Sequence, residues 1–364
     1  MNKLFSKDFF RALPKTWAAI NTFVQINNKS LIAERLMNMH FCKTVSLLFI
    51  LLQCPTLLHS AANDTTSYST TIKKKSPVRA PAPLGFFNKL VIPINHVENL
   101  LLIEVTINGM VGNFILDTGA PCLVLNKTYF REGFNQSAQL ATGITGEGSE
   151  VFRTRVEKLQ IQDLYYENLE AEITSLAQIE NSKGVKILGL LGTNLFTEFE
   201  LEIDVRGDVL TIYKLTKEGE RVEKETETKT ADVKIPFNLN NNIIFVKGKI
   251  KDKELNFCFD TGAEVNVLAT NVNRKILTDF VIRKRSILMG VGGQKAEVLS
   301  GFVKQVIIGE IPFANMQTYL SSVSELQNVY ETFFDGIFGY PLLFNGVVNV
   351  NFKKKEFLMY LYKN

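Results

Sequence analysis

Two aspartates stand where ionised side chains are costly. Asp117 closes the apolar run Phe114-Ile115-Leu116 and Asp260 closes Phe257-Cys258-Phe259, and each is followed by Thr-Gly-Ala. Losing water costs an unpaired charge several kcal/mol or more, roughly, unless a partner or a shared proton compensates. Building the same awkward feature twice points to a pair: two carboxylates a few ångströms apart cannot both ionise cheaply, so they hold one proton between them and titrate together. One member then can act as general base on a water while the protonated member donates to a substrate carbonyl. The neighbours suit that task. Gly119 and Gly262 leave room for the backbone to turn and offer an amide to the carboxylate, and the Thr118 and Thr261 hydroxyls can hold the paired loops rigid.

Such a pair needs two copies of one positioning unit, and the chain carries them. "LVIPI", "LLLIEVTI", the turn Asn108-Gly109 and "GNFILDTG" read as a strand and a hairpin; "VKIPF", "IIFVKGKI", a turn near Lys251-Asp252 and "NFCFDTG" repeat the pattern. Pro93 lies 24 positions before Asp117, and Pro236 lies 24 before Asp260. Downstream, "TGITGEGSEVF" (142–152) aligns with "MGVGGQKAEVL" (289–299), and "LGLLGTNLF" (188–196) with "DGIFGYPLL" (335–343). Gly192 precedes Tyr213 by 21 positions, as Gly339 precedes Tyr360. Two repeats of about 130 residues each explain this agreement. A pseudo-twofold axis between the Asp-Thr-Gly loops would bring Asp117 and Asp260 face to face.

The 364 residues, 46% hydrophobic, suffice for two domains and a sizeable core. Residues 1–62 read as a leader, with a signal peptide over 37–62, cleavage after Ala62 and translation starting at Met37 or Met39. The apolar stretch Val45–Leu52, interrupted soon after by Gln53 and Pro55, is too short for a stable membrane span. Residues 63–84 are a Ser/Thr/Lys/Pro tether, 85–215 one unit, 216–232 a charged linker and 233–364 the second unit. Beyond position 62 there are 34 basic against 35 acidic residues, which leaves no basic footprint for nucleic acid. His96 is the single histidine past the leader and has no Ser or Cys motif beside it, so a Ser-His or Cys-His nucleophile is disfavoured. No metal-ligand motif occurs, and neither a metal nor a cofactor is implied. Cys122 and Cys258 read as buried thiols, with a bond between them left open; Asn63, Asn126 and Asn135 stand in Asn-x-Ser/Thr contexts.

The duplicated hydrophobic-hydrophobic-Asp-Thr-Gly-Ala motif, the Gly-rich hairpin and the later hydrophobic-hydrophobic-Gly resemble the retropepsin-like aspartic proteases of the pepsin and retropepsin superfamily, over nearly all of residues 86–364. The shared-proton dyad of aspartic proteases is an established case whose logic is borrowed here. The resemblance implies an all-β, bilobal acid-protease-like fold: two homologous β-barrel-like lobes related by a pseudo-twofold axis. It implies catalytic Asp117 and Asp260, with Thr118, Gly119, Thr261 and Gly262 supporting them. It implies flaps that bind substrate, one at Gly143, Ile144, Thr145 and Gly146 and another at Gly290, Val291, Gly292 and Gly293, and structural loops at Gly192 and Gly339. The expected activity is endopeptidase cleavage of a polypeptide by dyad-activated water, in an exported monomer whose two lobes mimic a dimer. Ala120 and Ala263 stand where a Ser hydroxyl could stabilise the ionised dyad, which predicts a less acidic optimum than in pepsin-type enzymes; the first flap lacks their Tyr. Pro121 and Glu264 differ between the halves and suggest asymmetric subsites. The alternatives are a catalytically inactive peptide- or glycan-binding protein on the same fold, and a self-processing precursor whose residues 63–84 are trimmed or occupy the cleft.

Overall fold

The computed structural model describes residues 80–130, 151–223, 229–289 and 295–363. The leader, most of the tether and both expected flap tips lie outside these residues. The first half comprises β1 (Lys89–Pro93), β2 (Asn95–Val97), β3 (Leu100–Ile107), β4 (Met110–Asp117), β5 (Val124–Asn126), β6 (Phe152–Ile161), β7 (Leu164–Thr174), α1 (Ala177–Lys183), β8 (Gly189–Gly192), β9 (Phe199–Asp204) and β10 (Val209–Lys214). The second comprises β11 (Val233–Asn240), β12 (Ile243–Ile250), β13 (Lys253–Phe259), β14 (Asn266–Ala269), α2 (Arg274–Leu277), β15 (Phe280–Met289), β16 (Lys295–Ile308), β17 (Ile311–Ser321), α3 (Ser324–Tyr330), β18 (Gly336–Phe338), α4 (Tyr340–Leu343), β19 (Gly346–Asn351) and β20 (Glu356–Leu361).

Each half closes a barrel on itself. In the first the ring runs β3-β4-β8-β5-β7-β6, closed by Thr106 opposite Gln160; in the second it runs β12-β13-β18-β14-β17-β16, closed by Lys249 opposite Ile307. The registers repeat residue for residue. Phe114 faces Gly189 across a parallel pair and Phe257 faces Gly336; Val124 faces Leu190 and Val267 faces Ile337. A shift of 143 positions relates the halves through the Asp-Thr-Gly loops and β5 with β14, and one of 147 relates them from β6 and β16 onward. The alternation of apolar and polar residues sets this up: β3 buries Leu101, Ile103, Val105 and Ile107, and the hairpin turn is made by Asn108 and Gly109, both at positive φ (46° and 83°).

The two barrels share a third layer that the sequence reading did not anticipate. The first and last strands of each half join in the order β1-β10-β9-β19-β20-β11, so one sheet runs beneath both lobes. At its centre Glu202 pairs with Asn349, flanked by Leu201 with Val350 and Ile203 with Val348. Under the 147 shift Glu202 falls on Asn349, Leu201 on Val348 and Ile203 on Val350, so the pairing is its own mirror and the pseudo-twofold axis passes through the Glu202–Asn349 pair.

The interlobe linker is more structured at its start than its composition suggests. Arg221 reaches Glu200 at 2.6 Å and Glu202 at 3.1 Å and stacks over Tyr213 at 3.6 Å; Asn349 and Asn351 donate to the same carboxylates. The start of this charged stretch therefore ties into the central sheet.

Candidate active site

Both Asp-Thr-Gly loops follow a strand that crosses the middle of its barrel, and each is pinned from below by the parallel strand beside it. β8 places Gly192 opposite Asp117, and Thr193 N–H donates to Ala120 O at 2.9 Å; behind β18, Tyr340 N–H donates to Ala263 O at 2.8 Å. No side chain fits at either glycine there. A Cβ on Gly192 would lie 2.1 Å from Cys122 O, and one on Gly339 would lie 2.4 Å from Ala263 O.

The loops interlock across the halves. Thr118 N–H donates to Thr261 Oγ1 and Thr261 N–H donates to Thr118 Oγ1, both at 3.0 Å. Each hydroxyl passes its own proton to the strand of the other half: Thr118 Oγ1 to Phe259 O at 2.8 Å and Thr261 Oγ1 to Leu116 O at 2.7 Å. Every donor and acceptor of these buried hydroxyls lies between lobes, so the pair of loops is held as one rigid object.

Above this grip the carboxyl groups of Asp117 and Asp260 lie together, both almost fully buried and each set against the glycine of the opposite loop. Gly119 N–H donates to Asp117 Oδ1 at 2.9 Å; Gly262 and Ala263 N–H donate to Asp260 Oδ1 at 2.9 and 3.1 Å. The glycines serve a purpose beyond turning. A Cβ on Gly119 would lie 2.4 Å from Asp260 Cγ and one on Gly262 would lie 2.7 Å from Asp117 Cγ, so each glycine makes way for the opposite acid. Neither has a positive φ; the requirement is space.

Burial pushes both acids above the ordinary carboxylate range. For Asp117 the Asp260 charge and hydrogen bond push further the same way, against the amides of Gly119 and Ala120. Burial pushes Asp260 up to about 6, against the hydrogen bond to Asp117 and the amides of Gly262, Ala263 and Gly119. The two acids therefore titrate together as a pair, and their shared burial favours one proton held between them. Cys258, directly behind, is driven well up by burial and by both aspartates, so it stays an inert thiol; no disulfide joins it to Cys122.

Several residues that complete the site were missed by sequence reasoning. Tyr330 donates its hydroxyl to Gly119 O at 2.8 Å, Lys183 holds the Glu264 carboxylate at 2.8 Å, and Asn266 Oδ1 accepts from Gly339 N–H at 2.9 Å. Asn126, in a glycosylation context by sequence, is fully buried and donates to Glu180 and to Ile187 O, which removes it as an acceptor for a glycan. His96 lies in β2, the edge strand beside β3 in the sheet of the first half, with Nε2 3.1 Å from Asp208. Both flaps lie outside the described residues; the register of Met289 with Lys295 brings β15 and β16 together on either side of Gly290, Val291, Gly292 and Gly293. Among the described residues no group of three His, Cys, Asp or Glu side chains could hold a metal ion, and no helix is long and apolar enough to cross a membrane.

Paired barrels locked through duplicated Asp-Thr-Gly loops are the arrangement that the sequence resemblance to the aspartic proteases implied. Residues 103–195 match the model of a family described as aspartyl protease. The aspartic proteinase from Irpex lacteus is similar in structure, with a TM-score of 0.46 and 9% identity over 76% of this chain and 98% of that one. A search of curated proteins found no match.

Proposed function

We propose that the protein is an aspartic endopeptidase in which Asp117 and Asp260 carry the reaction. The observation that carries this reading is the direct contact of two buried acids, each backed by the other half's glycine. A water held between the carboxyl groups gives a proton to ionised Asp260 as its oxygen attacks the scissile carbonyl carbon. Asp117 passes its proton to the carbonyl oxygen, forming a neutral gem-diol. Collapse breaks the C–N bond: one hydroxyl returns its proton to Asp117 and the leaving nitrogen takes the proton from Asp260. Both acids end as they began, with no covalent intermediate. The substrate is an extended polypeptide that pairs its backbone with the flaps, and the leader over 37–62 directs the protein out of the cytoplasm.

Digestion of a peptide library by the full chain at several pH values, with and without a transition-state aspartic protease inhibitor, tests the mechanism. New termini should appear with the natural sequence and vanish with the inhibitor and in Asp117→Asn and Asp260→Asn. Undiminished cleavage by either variant removes the mechanism. Peptide capture without turnover from acidic to neutral pH instead favours the binding protein on this fold.

A further inference from the structure

Helices α1 and α3 occupy the same place in the repeat. The 147 shift carries Ala177–Lys183 onto Ser324–Tyr330 and the cap residue Gly184 onto Glu331, and both caps are left-handed, with φ of 65° and 49°. Their last residues, Lys183 and Tyr330, share no chemistry except that each is a long side chain ending in a donor. Each crosses to the loop of the opposite half. Tyr330, from the second half, donates to Gly119 O at 2.8 Å; Lys183, from the first, reaches Glu264, two residues past Gly262, at 2.8 Å.

Both contacts are sheltered. The side chains of Lys183 and Glu264 are 0% and 1% exposed, and Tyr330 is 8% exposed. Lys183 also contacts Glu98, and Asn99 Nδ2 donates to Glu264 O at 3.1 Å, so the first half holds the Glu264 segment at two points. Burying an ammonium without partners is costly, and this one is placed between two carboxylates. Burial, with Cys258, Asp260 and Asp117 close by to disfavour a further anion, pushes the Tyr330 phenol well up, so it remains a donor.

The position of Gly119 matters to the dyad. Its carbonyl and the Ala120 N–H belong to one peptide group, and that N–H is among the amides that favour the charge on Asp117. A donor on the carbonyl polarises the peptide and fixes its plane. The Gly119 Cα, in turn, backs against the Asp260 carboxylate. We propose that Tyr330 and Lys183 are a pair of positioning residues, each reaching from the helix end of one half to hold the opposite Asp-Thr-Gly loop at the spacing its carboxylate needs. They act beside the threonine grip.

The proposal rests on the hydrolytic reading, and its test separates the two. Tyr330→Phe and Lys183→Met/Glu264→Gln, the latter avoiding an orphaned buried charge, are compared with the natural sequence for kcat, KM, Tm and amide exchange over 117–121 and 260–264. For Tyr330→Phe we expect kcat to fall roughly ten-fold or more, as misplaced reacting groups do. KM and Tm should hardly move, while exchange over 117–121 accelerates. The double variant should loosen 260–264, and Lys183→Arg should restore kcat. Unchanged kcat and exchange in Tyr330→Phe overturn the proposal, as does a kcat loss that merely tracks loss of folded protein. If the natural sequence shows no turnover, the hydrolytic reading falls, and exchange over 117–121 and 260–264 alone judges the latches.

Discussion

At the scale of single residues the dyad leaves a thermodynamic signature separable from its chemistry. Asp117 has its folded pKa raised well above the unfolded value, so the folded state binds the proton more tightly than the unfolded state. The resulting stabilisation is fully present below the unfolded value of about 3.9 and is lost as pH rises through the folded one. Asp117→Asn has no proton to lose, and it should melt above the natural sequence at neutral pH. The gap should close as the pH approaches about 4. Calorimetric Tm measured against pH decides this, and a natural sequence that is the more stable at neutral pH would contradict the raised value. The aspartates, threonines and glycines were legible in the sequence because their types and repetition are local facts. Tyr330 and Lys183 were not: their equivalence depends on where two helices end, and the chemistry of the two side chains differs.

Among the elements, the strands were the readable part. β3 and β12 announce themselves by alternating burial over their second halves, and Asn108-Gly109 marks the turn after β3; β4 and β13 become buried only toward the ends that lead into Asp117 and Asp260. Helices α1 and α3 escaped notice because seven residues are too few for a helical stripe; α1 buries only Ile179, and α3 only Leu326 and Tyr330. The parallel pairing of β13 with β18 was equally silent, since β18 has three residues and its partner is remote in sequence. That pairing stacks Phe257 on Phe338, with ring centroids 4.0 Å apart and planes within 16°. Both rings are buried directly beneath the second Asp-Thr-Gly loop. Phe338→Ala should cost about 3–5 kcal/mol in urea unfolding, the usual range for emptying an aromatic core site. A cost near zero would mean that the strand pair does not hold that loop.

For the molecule as a whole, the duplication could be read from spacing, but the sheet joining the two halves could not. Its central pairing, β9 with β19, brings together segments about 150 residues apart, and nothing local in "FELEID" or "GVVNVN" names the other. What the sheet buries is polar as well as apolar: Glu200 is 6% exposed and depends on Arg221, Asn349 and Asn351. Arg221→Ala should therefore lower stability by about 3 kcal/mol, the penalty for leaving a sheltered carboxylate without its cation. Denaturant titration checks this, and pairing it with Glu200→Gln should recover part of the loss. The same sheet also settles which assemblies the halves can form. Two first halves placed about the axis would set Glu202 against Glu202, like charges head to head, while two second halves would set amide against amide with no acid for either to serve. The mixed combination gives the Glu202 carboxylate the Asn349 amide as donor, whereas paired Asn349 amides meet only as neutral partners, so a chain cut into its lobes should reassemble as heterodimers in preference to pairs of first halves.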